Sequence, residues 1–262
     1  MLPRLGVIVP YRDRQQHLAV FIPHMLEFFS RAPFHKEIPY RILIVEQASG
    51  LPFNRGTVKN IGFKHVASEV DYVCFHDVDL LPISADYRWP GDPAMLIFHG
   101  LDFSPDFIRQ LFGGVVLLQK EHFERANGFS NDYWGWGFED VDLRERLLRC
   151  GLKPAHREGR FSRLDHLDEG SQPDGTPTLD RLKNQKLYSS QWFRQIEAGW
   201  IREPNLSGSW QREGLNTAIF EEIEPRKLIT SYGPGNPIVE RVVVSLLHRP
   251  PLQPLALEVG GS

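Results

Sequence analysis

Short runs rich in valine and isoleucine alternate with amphipathic stretches through the first half of this chain, and no other feature restricts its fold as much. Residues 5–9, 41–45, 72–75, 94–98 and 115–118 read as strands, and 15–31, 58–68, 120–127 and 139–150 read as helices. Strands that alternate with helices form βαβ units, so an α/β fold around a mostly parallel sheet is expected. Pro23 falls inside the first helical pattern and predicts a kink or a break into two shorter helices. No internal repeat or low-complexity linker divides the 262 residues, which read as one domain. Residues 164–178 are polar and rich in glycine and proline, which predicts a long, mobile loop before a helix starting near Leu179.

Composition removes several function classes. A net charge of −3 does not fit a protein that grips nucleic acid through a broad basic surface. The two cysteines, Cys74 and Cys150, form neither a disulfide framework nor a zinc spacing, and point to a reducing compartment. No apolar stretch is long enough to span a bilayer, so membrane contact is expected to be peripheral at most.

Chemistry concentrates in a few segments. Trp134 to Asp142 reads Trp-Gly-Trp-Gly-Phe-Glu-Asp-Val-Asp: flat apolar rings with polar N–H groups, glycines that permit sharp turns, and then carboxylates opening a helix. The helix dipole favours their ionised forms, and such a carboxylate accepts a hydroxyl proton; charge complementarity at a helix start is the plainer alternative, but the preceding Trp-Gly-Trp-Gly favours a site. Asp77-Val78-Asp79 follows the third strand, where residues two apart point to the same side and both carboxylates face one hard cation such as Mn2+ or Mg2+. A solvated turn explains the tripeptide alone equally well. Pro10-Tyr11-Arg12-Asp13-Arg14 leaves the first strand, and Phe53-Asn54-Arg55-Gly56 opens a helix; arginines and a helix N-terminus suit a phosphate, although surface ion pairs and caps look the same. Gly113-Gly114 permits close backbone approach or forms a bulge. His166 begins the polar loop, where an imidazole completes metal sites, whereas His76 should point away from its neighbour Asp77.

In order and spacing these segments resemble the β-1,4-galactosyltransferases of animals, including the branch that galactosylates xylose. The matches are Val7 to Leu18, Phe53-Asn54-Arg55-Gly56 with Asn60-Ile61-Gly62-Phe63, Asp77 to Pro82, Phe112-Gly113-Gly114-Val115, Asn127-Gly128-Phe129 through Tyr133-Trp134-Gly135-Trp136-Gly137 to Glu139-Asp140, and Gly214-Leu215-Asn216-Thr217. They cover about residues 5–218, leaving 219–262 as an extension of unassigned role.

The resemblance implies a GT-A type nucleotide-sugar-binding fold with a central mixed, mostly parallel sheet, a UDP-Gal or UDP-GalNAc donor, Mn2+ (with Mg2+ as alternative), and an inverting single displacement onto a carbohydrate acceptor, carrier-linked or free. Carried over by position, Asp79 and His166 would ligate the metal. Pro10, Tyr11, Arg12, Arg14, Phe53, Asn54, Arg55, Asp77 and Val78 would hold the UDP, and Gly114, Trp136 and Glu139 the transferred sugar. Asp140 would be the catalytic base, with Trp136, Asp140 and Val141 facing the acceptor.

Three departures stand out. Val141 occupies a place that is usually acidic. Arg163 stands where some relatives supply a further metal ligand, which leaves Asp165 or Asp168 as substitutes, or a larger share for phosphates and water. Leu111 replaces a tyrosine that crowds out an N-acetyl group, and so favours GalNAc. With no signal anchor or disulfides in view, the expectation is a bacterial, cytoplasmic enzyme of polysaccharide biosynthesis, peripheral at the inner face of the membrane if it touches one. The rivals are a non-catalytic glycan-binding protein on the same fold and, less well supported, a sugar nucleotidyltransferase.

Overall fold

The computed structural model describes residues 2–31, 37–96, 111–165, 170–196, 199–202, 208–231 and 238–247. At its centre is β1 (Leu5–Tyr11), buried along all seven residues because sheet neighbours flank it and helices cover it. It pairs in parallel with β2 (Tyr40–Gln47) and with β3 (Tyr72–His76), aligning Val7-Ile8-Val9 with Ile42-Leu43-Ile44. Two-sided burial explains why these strands read as continuous apolar runs rather than alternating ones. Their carboxyl ends share one edge, where ligands bind in open α/β sheets.

Helix α1 (Gln15–Arg31) buries Phe21, Met25 and Phe29 at four-residue spacing. Of the kink or break expected at Pro23, the break does not occur: one helix runs through it. Ala19 and Pro23 are both exposed, so water serves the carbonyl group that loses its helical donor. Helix α2 (Arg55–Val66) starts three residues earlier than its apolar pattern, because the Asn54 side chain caps it by accepting from Thr57 N at 2.9 Å. A Cβ at Gly62 would strike Ile8 and Val45, so this helix presses its backbone onto the sheet.

Beyond β3, β4 (Leu80–Ala85) pairs antiparallel with a later strand to form a small separate sheet. The main sheet continues through β5 (Ala94–Met95), shorter than the apolar run around it, and β6 (Val115–Gln119), which lies antiparallel to β3. Then come α3 (Lys120–Arg125), α4 (Glu139–Arg149), β7 (Ala155–His156) and β8 (Gly159–Arg163), the partner of β4. Helix α5 (Leu179–Trp192), capped by Thr178, follows residues 170–178, which hold no helix or strand beyond an isolated bridge between Ser171 and Pro177. A two-stranded sheet follows, from β9 (Phe193–Ile196) and β10 (Gly199–Arg202). After the short helix α6 (Ser209–Arg212) the chain reaches β11 (Phe220–Ser231) and β12 (Ile238–Leu246). These last two strands, unread from the sequence, enlarge the main sheet to eight, with β12 parallel to β2. Four of its seven strand pairings are parallel: β12 with β2, β2 with β1, β1 with β3, and β5 with β7.

Candidate active site

A cavity of about 350 Å3 opens at the carboxyl edge of the sheet. Pro10, Arg12 and Arg14 reach it from the end of β1, Phe53 and Arg55 from the start of α2, Asp77, Val78 and Asp79 from the turn after β3, and Leu111, Gly113 and Gly114 from the approach to β6. The opposite wall is Gly135 to Val141, with Arg163 and Arg181 at its margins.

The wall from Trp134 to Asp140 is shaped by backbone geometry. Gly135 and Gly137 have φ of +75° and +92°, and Phe138 has +74°, so three of four consecutive residues are left-handed. Asn184 of α5 ties the loop down, donating from Nδ2 to the carbonyls of Trp134 at 3.0 Å and Trp136 at 3.1 Å. The Trp136 ring packs on Gly170 and carries the Arg181 guanidinium 4.9 Å from its centroid.

Electrostatically the site is a carboxylate cluster threaded by cations. Arg55 reaches Asp77 Oδ2 with Nη1 at 3.2 Å and Glu139 Oε1 with Nε at 3.1 Å. Burial pushes the Glu139 carboxyl up, but Arg55 and Lys59 overcome it and hold it below its ordinary range. For Asp77 the balance is reversed: burial outweighs Arg55 and Lys59 and raises it. Asp140 is pushed up to about 6 by burial and by the Glu139 charge. One Asp140 oxygen accepts from Val141 N at 2.8 Å. Arg163 Nε lies 3.4 Å from Asp79 Oδ2, so this arginine is an ion-pair partner of that carboxylate.

Tyr11 and Asn54 stand apart from the cavity lining. Tyr11, at the end of β1, is buried in the core. Asn54 is fully buried, with its oxygen on Thr57 N and its Nδ2 on the Asn131 carbonyl at 2.7 Å. They fix the turns that present Pro10, Arg12, Phe53 and Arg55. His166 and Asp168 lie outside the described residues; Asp165 is described. His76 is buried away from the site against Tyr87 Oη at 2.8 Å, and burial lowers it to about 4.

Several residues that shape the site gave little signal. Lys59 is buried beside Glu139. Asp142 accepts from Arg146 Nε at 2.6 Å and Trp192 Nε1 at 2.7 Å, and Arg146 also grips Glu213 Oε2 at 2.8 Å. The i, i+4 spacing of Asp142 and Arg146 was visible, but it reads as an exposed helix pair.

This layout is that of a GT-A glycosyltransferase fold. The solved catalytic domain of Drosophila β-1,4-galactosyltransferase 7 in complex with xylobiose shares it, at a TM-score of 0.70 and 24% identity over 95% of this chain and 96% of that one. A mutant of that protein in complex with manganese, UDP-Gal and xylobiose matches at 0.62 and 23% over the same shares. The sequence models for the N-terminal region of glycosyl transferase group 7 and the N-terminal domain of galactosyltransferase match residues 2–89 and 103–169. The chain belongs to the β-1,4-galactosyltransferase family. β-1,4-Galactosyltransferase 7 of Mus musculus is 39% identical over 224 residues, 82% of this chain and 63% of that protein. β-1,4-Galactosyltransferase 4 of Homo sapiens is 34% identical over 201 residues, 73% and 56%. The chain thus spans less than two thirds of the length of these curated relatives.

Proposed function

We propose that the chain is a metal-dependent, inverting glycosyltransferase that moves galactose from UDP-Gal onto a sugar hydroxyl, with Asp140 as base. The observation that carries this reading is the place of Asp140: on the cavity wall beside Glu139, with its carboxyl raised toward neutral pH. Asp140 would take the proton of the acceptor hydroxyl as that oxygen attacks the anomeric carbon. The bond from that carbon to the diphosphate breaks on the opposite side, and UDP leaves with the electron pair. Arg12 and Arg14 face the cavity where the diphosphate would lie, and Phe53 with Arg12 stacked 5.2 Å above its ring offers a flat face to the uracil. Glu139 would hold sugar hydroxyls, and Trp136 would form the floor beneath the acceptor.

The donor set fits a hard divalent ion. Asp79 brings carboxylate oxygens to the cavity, and phosphate oxygens would complete the shell. Asp79 and His166 would hold Mn2+, which neutralises charge on the departing diphosphate. The likeness of names and of a relative solved with manganese, UDP-Gal and xylobiose supports this reading.

Leu111 lines the cavity, and a leucine is smaller than the tyrosine expected to crowd out an N-acetyl group, so UDP-GalNAc is proposed as a second donor. A carrier-linked glycan and a cytoplasmic setting remain part of the proposal; among the described residues no helix is long and apolar enough to cross a membrane. The test is incubation with labelled UDP-Gal, UDP-GalNAc, UDP-Glc and UDP-GlcNAc plus a panel of sugar acceptors, with and without Mn2+. Transfer that depends on metal supports the reading. Glycan binding without UDP or metal, and no transfer, would establish the non-catalytic alternative.

A further inference from the structure

Lys59 has no part in the reaction outlined above, yet it is a buried ammonium beside the reacting wall. It lies on α2 one turn beyond Arg55 and is 3% exposed. Its Nζ is 3.8 Å from Glu139 Oε1 and 4.7 Å from the centre of the Phe129 ring. Arg55 Nε meets the same Glu139 oxygen, so two cations converge on one carboxylate. Arg55 and Glu139 line the cavity, whereas Lys59 stands behind them. Filling space next to Phe129 calls only for an apolar side chain of similar volume, and burying a charge is costly unless the charge is used.

We propose that Lys59 is a positioning residue: it clamps Glu139 from behind the cavity wall and supplies a positive charge that keeps the adjoining Asp140 carboxylate ionised. Arg55 alone is not equivalent, because it divides its guanidinium between Glu139 and Asp77. The charged groups acting on Asp140 are Glu139, which favours its protonation, and Arg55 and Lys59, which oppose it. Those acting on Lys59 are Glu139, Asp77 and Asp140, which favour its charge, and Arg55, which opposes it. Without Lys59 the Glu139 charge is less balanced, and Asp140 keeps its proton to higher pH. The effect on rate rests on Asp140 being the base; the effect on Asp140 protonation does not.

The test compares wild type with Lys59→Met, Lys59→Gln and Lys59→Arg. Methionine matches the volume and Glu139 keeps Arg55, so Lys59→Met should fold, with a melting temperature below wild type because one partner of a buried pair is removed. The Asp140 carboxyl is followed directly by infrared pH titration, as the band missing from Asp140→Asn. Its midpoint should rise by about one pH unit in Lys59→Met, in keeping with the effect of an opposite charge nearby. The acid limb of kcat/KM should move with it, giving about a fivefold loss at pH 6 that closes above pH 8. Lys59→Arg should restore both. A folded Lys59→Met or Lys59→Gln variant whose carboxyl midpoint matches wild type overturns the inference, and so does failure of both variants to fold, which would make Lys59 a structural residue. A shifted midpoint in a protein that transfers no sugar would uphold the role of Lys59 and reject Asp140 as base.

Discussion

The Asp140 carboxylate lies directly on the α-carbon of Gly113. A Cβ at residue 113 would overlap Asp140 Oδ2 and come within 3.2 Å of its Cβ and Cγ. The glycine before β6 therefore makes room for the candidate base, a close approach to the backbone at Gly113. Gly113→Ala should displace the carboxylate and lower kcat about 100-fold, as small misplacements of reacting groups do. UDP affinity, measured by calorimetry, should change by less than about threefold, since no UDP-directed side chain is altered.

Asp140→Asn keeps the shape and removes the base. Transfer should fall about a thousandfold or more, at the upper end of what a general base contributes, while calorimetric UDP binding stays near wild type. Loss of transfer and binding together would identify Asp140 as structural.

The pH dependence follows from the same carboxyl. Asp140 must be ionised to accept a proton, so kcat/KM should rise with pH and level off above about 6, nearer neutrality than an ordinary carboxylate allows. Stability has the opposite sign. Because the folded value lies above the unfolded one of about 4, the native state holds the extra proton between about pH 4 and pH 6, and this group's contribution to stability falls as pH rises through that window. Melting curves of Asp140→Asn should lack that component.

Arg146 is 1% exposed and joins Asp142 to Glu213. Arg146→Met would leave two buried carboxylates without their cation. The expected cost is about 3–5 kcal/mol, read from urea denaturation, the usual range when one partner of a buried pair is removed.

Leu111→Tyr would narrow the cavity where the N-acetyl group of GalNAc is expected. The ratio of UDP-Gal to UDP-GalNAc transfer should rise about tenfold or more, within what pocket sterics provide. An unchanged ratio would remove Leu111 as the donor selector.

What was legible in the sequence came from local signals. The apolar runs that became β1, β2, β3 and β6 are buried on both faces and need no partner to be recognised. Helix α4 was visible from its acidic first turn and apolar stripe. The segments at Pro10, Phe53 and Asp77 could be placed at one sheet edge because parallel strands bring their carboxyl ends together. Strands β4 and β8 were missed because Pro82 and the charged residues of Gly159–Arg163 lack a strand pattern and gain one only by pairing with each other. Strand β11 was missed because bulges interrupt it between Glu222 and Thr230, whereas β12 carries a Val-rich run that is strand-like by itself.

The sequence by itself determined the α/β class, the order of the inner elements and the residue types available at the cavity, because periodicity and short motifs act within a few residues of chain. Tertiary structure alone decided how those residues are used. It turned Asn54 into a cap and Tyr11 into core, set Arg163 against Asp79, seated Asp140 on Gly113 and buried Lys59 behind Glu139. Each of those outcomes depends on which distant side chain arrives at the same place, and on a burial that raises the strength of charges far above their value in water.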